Sequence, residues 1–242
     1  MRVQTVLSTT FAFVISVVAQ SSAPGYFTNF SSIPNNDTFS FGQHYAVLNL
    51  DLINGLVGSI SSTPEGSAWI NNTATWINAV HAQKPPPLSI FTRIYSINSR
   101  NVDIAGGFTQ TFAGLRPGTM NETATDLYPA FTPLRDYDVV LQKIRYYAGT
   151  ANELELILSS QKIDTVVISG IRTSGVVLST VYRLFDLNYN VYVIGENSIE
   201  TPPNGLQVDT AIKQGVIPKL PATVITLAQA LAALTRSGPA IY

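Results

Sequence analysis

Residues 163–200 read IDTVVISGIRTSGVVLSTVYRLFDLNYNVYVIGENSIE, and this pattern leaves few architectures open. Asp164 to Ser169 is a nearly unbroken β-branched run, the composition of a strand buried on both faces. Gly170 marks its end. From Val176 the period changes: Val177, Leu178, Val181, Leu184 and Phe185 recur at helical spacing and form one apolar stripe. Asn190 to Ile194 then restores a short β pattern. Strand, turn, helix and strand make a βαβ unit, which implies a parallel pair with the helix over one face. Ligands in such sheets sit at the carboxyl ends of the strands, so the turn from Gly170 to Gly175 is the first place to expect a site.

The same alternation extends along the chain. Tyr45–Leu50 (YAVLNL) is a buried strand with Asp51 at its carboxyl end. Thr63-Pro64 has the form of a helix start, Thr as N-cap and Pro in the first turn. Trp69, Thr73, Trp76, Ile77 and Val80 make one face of the helix that follows. The run from Lys84 to Pro87 breaks it, and Leu88–Ile94 is a second strand with Arg93 near its end. Residues 95–135 lose all period. Irregular segments of that length are often lids or binding loops, with disorder as the competing explanation.

Asp138–Gln142 is a third strand leading into Lys143, and Thr150 to Glu153 has capping-box spacing before a helix whose apolar face is Leu154, Ile157 and Leu158. A helix over Val208–Val216, a strand over Ala222–Thr226 and a helix over Leu227–Leu234 complete the pattern. The expectation is one α/β domain, residues 20–242: a three-layer sandwich with a mainly parallel six-stranded sheet, Rossmann-like in outline.

Residues 1–19 stand apart. A basic start at Met1-Arg2, an apolar stretch from Val3 and the small-residue ending Val17-Val18-Ala19 describe a secretory signal peptide, with a retained anchor as the alternative. A secreted protein, free of the membrane after cleavage, is therefore expected. Sequons at Asn29, Asn36, Asn71 and Asn121 would accept N-glycans on a eukaryotic secretory route. Cysteine is absent, so no disulfide holds the fold. Net charge is −1 and Lys and Arg are scattered, which argues against a nucleic-acid partner. Neither His44 nor His81 has ligand spacing, so no metal is expected, and no motif calls for a cofactor.

Asp51, Lys143 and the Gly170–Gly175 turn each follow a buried strand, and in a parallel sheet those ends share one rim. Three ordered motifs carry a resemblance: AVLNLDLINGLVG around Asp51, KIRYYAGT from Lys143, and VVISGIRTSGVVLST across the turn. Together they resemble the isochorismatase-like hydrolase superfamily, which includes nicotinamidases, carbamoylsarcosine amidases and isochorismatases. The resemblance implies Asp51 and Lys143 as catalytic residues and a small-molecule substrate. Relatives commonly assemble, so a homo-oligomer fits it too. Arg93, Arg172, Thr173, Ser174, Gly175 and Val176 are candidate substrate contacts, the two Arg for an anionic group.

One departure governs the functional expectation. The family's nucleophilic Cys falls at Val176 here, and acyl-enzyme chemistry needs a thiolate. Ser174 and Ser179 are near in sequence, but neither matches that position. The isochorismatase branch of the resemblance carries Gly there and hydrolyses a vinyl ether without a thiol, with the Asp as general acid. The expected function is therefore a cysteine-independent hydrolase acting on an isochorismate-like substrate. The alternative is a catalytically inactive relative that binds a ligand or partner.

Overall fold

The computed structural model describes residues 31–34, 38–104 and 118–242. Its core is a six-stranded sheet in the order β3-β2-β1-β4-β5-β6. The strands are β1 (Tyr45–Leu50), β2 (Ser89–Ile94), β3 (Val139–Lys143), β4 (Thr165–Ile171), β5 (Asn190–Ile199) and β6 (Ala222–Ile225). All neighbours pair parallel. Every residue of β1 and β4 is buried, which is why both read as continuous apolar runs instead of alternating ones.

The helices are α1 (Asn54–Val57), α2 (Pro64–His81), α3 (Leu154–Ser160), α4 (Leu178–Asp186), α5 (Gly205–Thr210) and α6 (Leu227–Ser237). On one face, Leu154 and Leu158 of α3 and Val181 and Leu184 of α4 pack against Leu48, Leu50 and Ile168. On the other, Trp76 and Val80 of α2 and Ala230 and Leu234 of α6 cover Tyr45, Val47 and Val167. The expected three layers are present. Strand order reverses between β1 and β4, so their carboxyl ends flank the switch-point crevice.

Helix α2 begins as its sequence predicts, with the Thr63 hydroxyl accepting from the Gly66 amide at 3.0 Å. All of Trp69, Thr73, Trp76, Ile77 and Val80 are buried. Beneath them a polar seam crosses the sheet. Asn49 and Ser169 are register partners on β1 and β4, and Asn197 lies on β5; all are fully buried. The seam divides an apolar cluster containing Trp69, Leu52, Ile171 and Ile199 from the one containing Trp76, Val47, Val167 and Ile194. Asn49 Nδ2 donates to Ser89 Oγ at 3.1 Å, while Asn49 Oδ1, Ser169 Oγ, Thr73 Oγ1 and the Asn197 side-chain amide have no hydrogen-bond partner among the described residues.

Several sequence expectations need correction. β4 does not stop at Gly170 but continues to Ile171, with Gly170 paired to Leu50. Glycine is required there because a Cβ would lie 2.8 Å from Leu50 Cβ and from its carbonyl oxygen. β5 runs five residues beyond Ile194 to Ile199, across a register shift that hides it from a pattern search: Val193 pairs with Ile168 and Ser198 with Gly170. Thr173–Val177 winds as a π segment before α4, and the helix expected over Val208–Val216 is α5 followed by a π segment, Ala211–Val216. The capping box at Thr150–Glu153 does not form. Asn152 Oδ1 instead accepts from the Leu154 amide at 3.1 Å, a local bond that Asn makes in preference. A capping box does form at Thr226–Gln229, at the start of α6.

Within the irregular region, Ser96 bridges Thr119, Ile53 bridges Leu127 and Phe131 is fully buried, so its described flanks dock on the domain. Residues 105–117, where a lid would fall, lie outside the described residues, as do 1–19, Asn29 and Asn36. No helix among the described residues is long and apolar enough to cross a membrane.

Candidate active site

β1 delivers Asp51 to the rim in a left-handed conformation, φ 60°, which Asp tolerates better than most residues. Its amide donates to Thr92 Oγ1 at 2.9 Å, and that hydroxyl donates back to Asp51 Oδ1 at 2.6 Å. The last residue of β3, Lys143, reaches the other carboxylate oxygen, with Nζ 2.7 Å from Oδ2. Lys143 Nζ is held in place by the carbonyls of Arg145 at 2.7 Å and Tyr146 at 3.4 Å. The pair is almost out of water, at 2 % exposure for Asp51 and 3 % for Lys143.

That burial decides the electrostatics. Desolvation pushes the Asp51 carboxyl above its ordinary range, and the charge of Lys143 and the bonds from Lys143 and Thr92 offset this only in part. The same desolvation pulls the Lys143 ammonium down against the pull of Asp51. Both groups are thus biased toward neutrality, and Asp51 holds a proton to higher pH than a solvated carboxyl.

Across the switch point stands the turn after β4, preceded by a cis peptide bond between Ile171 and Arg172. Arg172 is half-buried, and its Nε has no hydrogen-bond partner among the described residues. Thr173 is fully buried, its hydroxyl donating to Asp209. Ser174 is exposed and its amide donates to Glu200 Oε2 at 2.8 Å. Gly175 lies against Tyr146, where a Cβ would come within 3.1 Å of the ring. Val176 is 2 % exposed and joins the apolar core, so the position of the expected nucleophile is filled by packing. Ser179 Oγ bonds back to the carbonyls of Gly175 at 2.8 Å and Val176 at 3.2 Å.

The structure does not bring Arg93 to Asp51. Successive strand residues face opposite sides, and Thr92 takes the side of Asp51. Arg93 instead donates to Thr125 O at 2.8 Å and Met120 O at 3.0 Å, pairs with Asp126 at 2.8 Å, and stacks over Tyr95. It pins the 118–126 segment to β2. His81 bonds Asp138 at 2.8 Å, and among the described residues no cluster of three metal-ligating side chains occurs.

Thr92, Glu200 and Asp209 were missed by sequence reasoning. Thr92 had one available signal: a hydroxyl residue late in a buried strand beside β1. A cleft of ≈ 380 Å³ opens next to the turn, between Ile60, Thr63 and Glu65 on one side and Ile199, Glu200 and Pro202 on the other.

Comparisons with known proteins bear on the family and the fold. The isochorismatase domain family model matches residues 45–229. An isochorismatase family protein from Burkholderia thailandensis superposes with a TM-score of 0.67 at 25 % identity, over 82 % of this chain and 100 % of that one. A cysteine hydrolase from Pseudomonas syringae pv. phaseolicola gives 0.67 at 14 % identity, over 81 % and 94 %. An N-carbamoylsarcosine amidase from Thermoplasma acidophilum gives 0.57 at 17 %, over 76 % and 96 %. The latter two show the fold alone. No match was found among curated protein sequences. With the domain matched across most of its length and no cysteine anywhere in it, this chain belongs to the isochorismatase family as a member without the nucleophilic thiol.

Proposed function

We propose that the protein is a secreted hydrolase that cleaves an isochorismate-like vinyl ether, with Asp51 as general acid. The observation that supports this best is the buried Asp51 carboxyl, biased toward its protonated form while bonded to Lys143 and Thr92. A vinyl ether needs a proton on carbon and no nucleophilic side chain. Asp51 gives its proton to the terminal enol carbon, leaving an oxocarbenium ion. Water adds to that cation and returns a proton to Asp51. The hemiketal then collapses, breaking the carbon–oxygen bond to release pyruvate and an alcohol. Lys143 stabilises the carboxylate that forms in the first step. The Arg172 guanidinium of the turn, on the far side of the crevice, would face the substrate's anionic groups.

The pH dependence follows from the role. The acid form of Asp51 decreases as pH rises through its raised pKa, so the rate falls about tenfold per unit above it. The test is pyruvate release from isochorismate. Asp51→Asn, which keeps shape and loses the acid, should lower kcat by about 10²–10⁴. A folded wild-type protein that releases no pyruvate would overturn the assignment.

The second reading, a family member that binds a ligand without turnover, draws on Val176. An apolar side chain packed into the core at the nucleophile position removes the thiol chemistry. For the route of the chain, the amino-terminal pattern and the exposed Asn71 and Asn121 support secretion with N-glycans.

A further inference from the structure

Behind the turn lies a second buried carboxylate–ammonium pair that the proposed chemistry does not use. Asp209 and Lys213 are one helical turn apart, both fully buried, with Nζ 2.6 Å from Oδ2. Its context is the irregularity in β5, where residues 194–197 stand opposite Ser169 alone. Lys213 Nζ also donates to the carbonyls of Gly195 at 2.7 Å and Ser198 at 2.5 Å, so all three ammonium hydrogens are used. Glu196 and Glu200 are the further charges near Lys213, and Glu200 also faces Asp209.

The pair reaches the site through the turn. Asp209 Oδ1 accepts from Thr173 Oγ1 at 2.5 Å, and Glu200 Oε2 accepts from the Ser174 amide at 2.8 Å. The turn is thus held at two successive residues, by Asp209 of α5 and by Glu200 just after β5, and neither bond comes from its own segment. On its other side Gly175 rests against the Tyr146 ring. The Tyr146 and Arg145 carbonyls in turn accept from Lys143, which bonds Asp51. A continuous set of contacts therefore joins one buried Asp–Lys pair to the other.

We propose that Asp209, held by Lys213, is a positioning residue: through the Thr173 hydroxyl it sets where the turn sits against Tyr146, and thereby how Lys143 meets Asp51. This rests on the proposed function only in taking the Asp51–Lys143 pair as the reacting centre. A buried pair is often replaceable by apolar side chains without loss of stability, so one whose remaining oxygen is spent on the turn has a use in geometry.

Thr173→Val removes the hydroxyl, keeps the side-chain shape and leaves Asp209 with Lys213. Thr173→Ser restores the donor. In isotope-labelled full-length protein, the readouts are the Gly175 and Val176 amide shifts and the titration of the Asp51 carboxyl carbon, with pyruvate release measured in parallel. Thr173→Val is expected to displace both amides and to move the Asp51 midpoint by about half a pH unit, a roughly threefold change in proton affinity, with Thr173→Ser returning both to wild type. Where turnover is present, kcat should fall about tenfold or more with KM less affected.

If Thr173→Val lowers thermal stability but leaves the amide shifts and the Asp51 titration unchanged, the pair is structural and the proposal is overturned. The spectroscopic readouts stand without turnover, so an inactive wild type would defeat the vinyl-ether reading and leave this test intact. Should Thr173→Val not fold, Asp209→Asn sets an amide against the ammonium and pushes the acceptor off Thr173. The same signals must then move, and unmoved signals would refute the coupling.

Discussion

Replacing Lys143 with methionine keeps most of the stem and removes the cation facing Asp51. Two losses follow. The Arg145 and Tyr146 carbonyls lose a donor, worth about 1 kcal/mol each and independent of pH. The Asp51 carboxyl, 2 % exposed, is left with Thr92 as its remaining side-chain donor. Breaking a buried pair this way costs about 3–5 kcal/mol if the carboxylate stays charged. Asp51 can avoid that cost by keeping a proton, so its pKa rises further above the value burial has already raised.

The folded state then binds a proton that the unfolded chain has released. Stability linked to such a raised pKa is fully present below the unfolded value, about 3.9, and is lost as pH rises toward the folded one. Relative to wild type, Lys143→Met should lose about 1.4 kcal/mol more for each pH unit above the wild-type Asp51 midpoint, until the ceiling of about 3–5 kcal/mol is reached. At about 2–4 °C per kcal/mol, the ceiling corresponds to a fall in Tm of roughly 6–20 °C. Urea unfolding followed by the fluorescence of Trp69 and Trp76, both fully buried, measures this directly on either side of the wild-type Asp51 midpoint. Asp51→Asn combined with Lys143→Met should abolish the extra pH slope. A loss that is the same below and above the Asp51 midpoint, located by titrating its carboxyl carbon, would show that Asp51 is not the group that takes up the proton.

Two further predictions address the fold and the route of the chain. Gly170→Ala places a methyl 2.8 Å from Leu50 Cβ and its carbonyl, so chemical denaturation should show a loss of about 1–3 kcal/mol as β4 is forced off β1. On expression in a eukaryotic secretory host, the mature protein should begin at Gln20, and Asn71→Gln and Asn121→Gln should each remove one glycan step on a gel. A retained Met1 and unchanged mobility would refute the secretory reading.

What the sequence disclosed, and what it hid, divides along the distance over which residues cooperate. Strands β1 and β4 were legible because burial on both faces writes an unbroken apolar run, and Asp51 because it directly follows one. Lys143 closes β3, which is not the buried strand expected but an edge strand with Val140 exposed, and only its short apolar pattern marked it. The partners of the turn were not legible. Glu200 meets Ser174 across 26 residues and Thr92 meets Asp51 across 41, and no local period marks either. The expected strand ends at Ile194, short of the second half of β5, because polar Glu196, Asn197 and Ser198 interrupt the apolar pattern where the register shifts. Nothing in the helical pattern of Val208–Val216 singles out Lys213. Only the fold shows that carbonyls of β5 surround it.

The polar seam beneath α2 has a consequence for how that helix finds its place. An apolar helix on an apolar sheet face can slide, because one greasy contact substitutes for another. Here Trp69 and Trp76 lie on either side of Asn49, Ser169 and Asn197, with Thr73 between them on the helix. A slip of one turn, about 5.4 Å, would drive an indole onto the amides and leave Thr73 against hydrocarbon. The seam acts as a detent, giving up some stability in its unpaired polar atoms so that a single docked position is favoured over its neighbours. Thr63, at the amino end of this helix, lines one wall of the cleft, so the docked position that the detent favours is also the position of that wall.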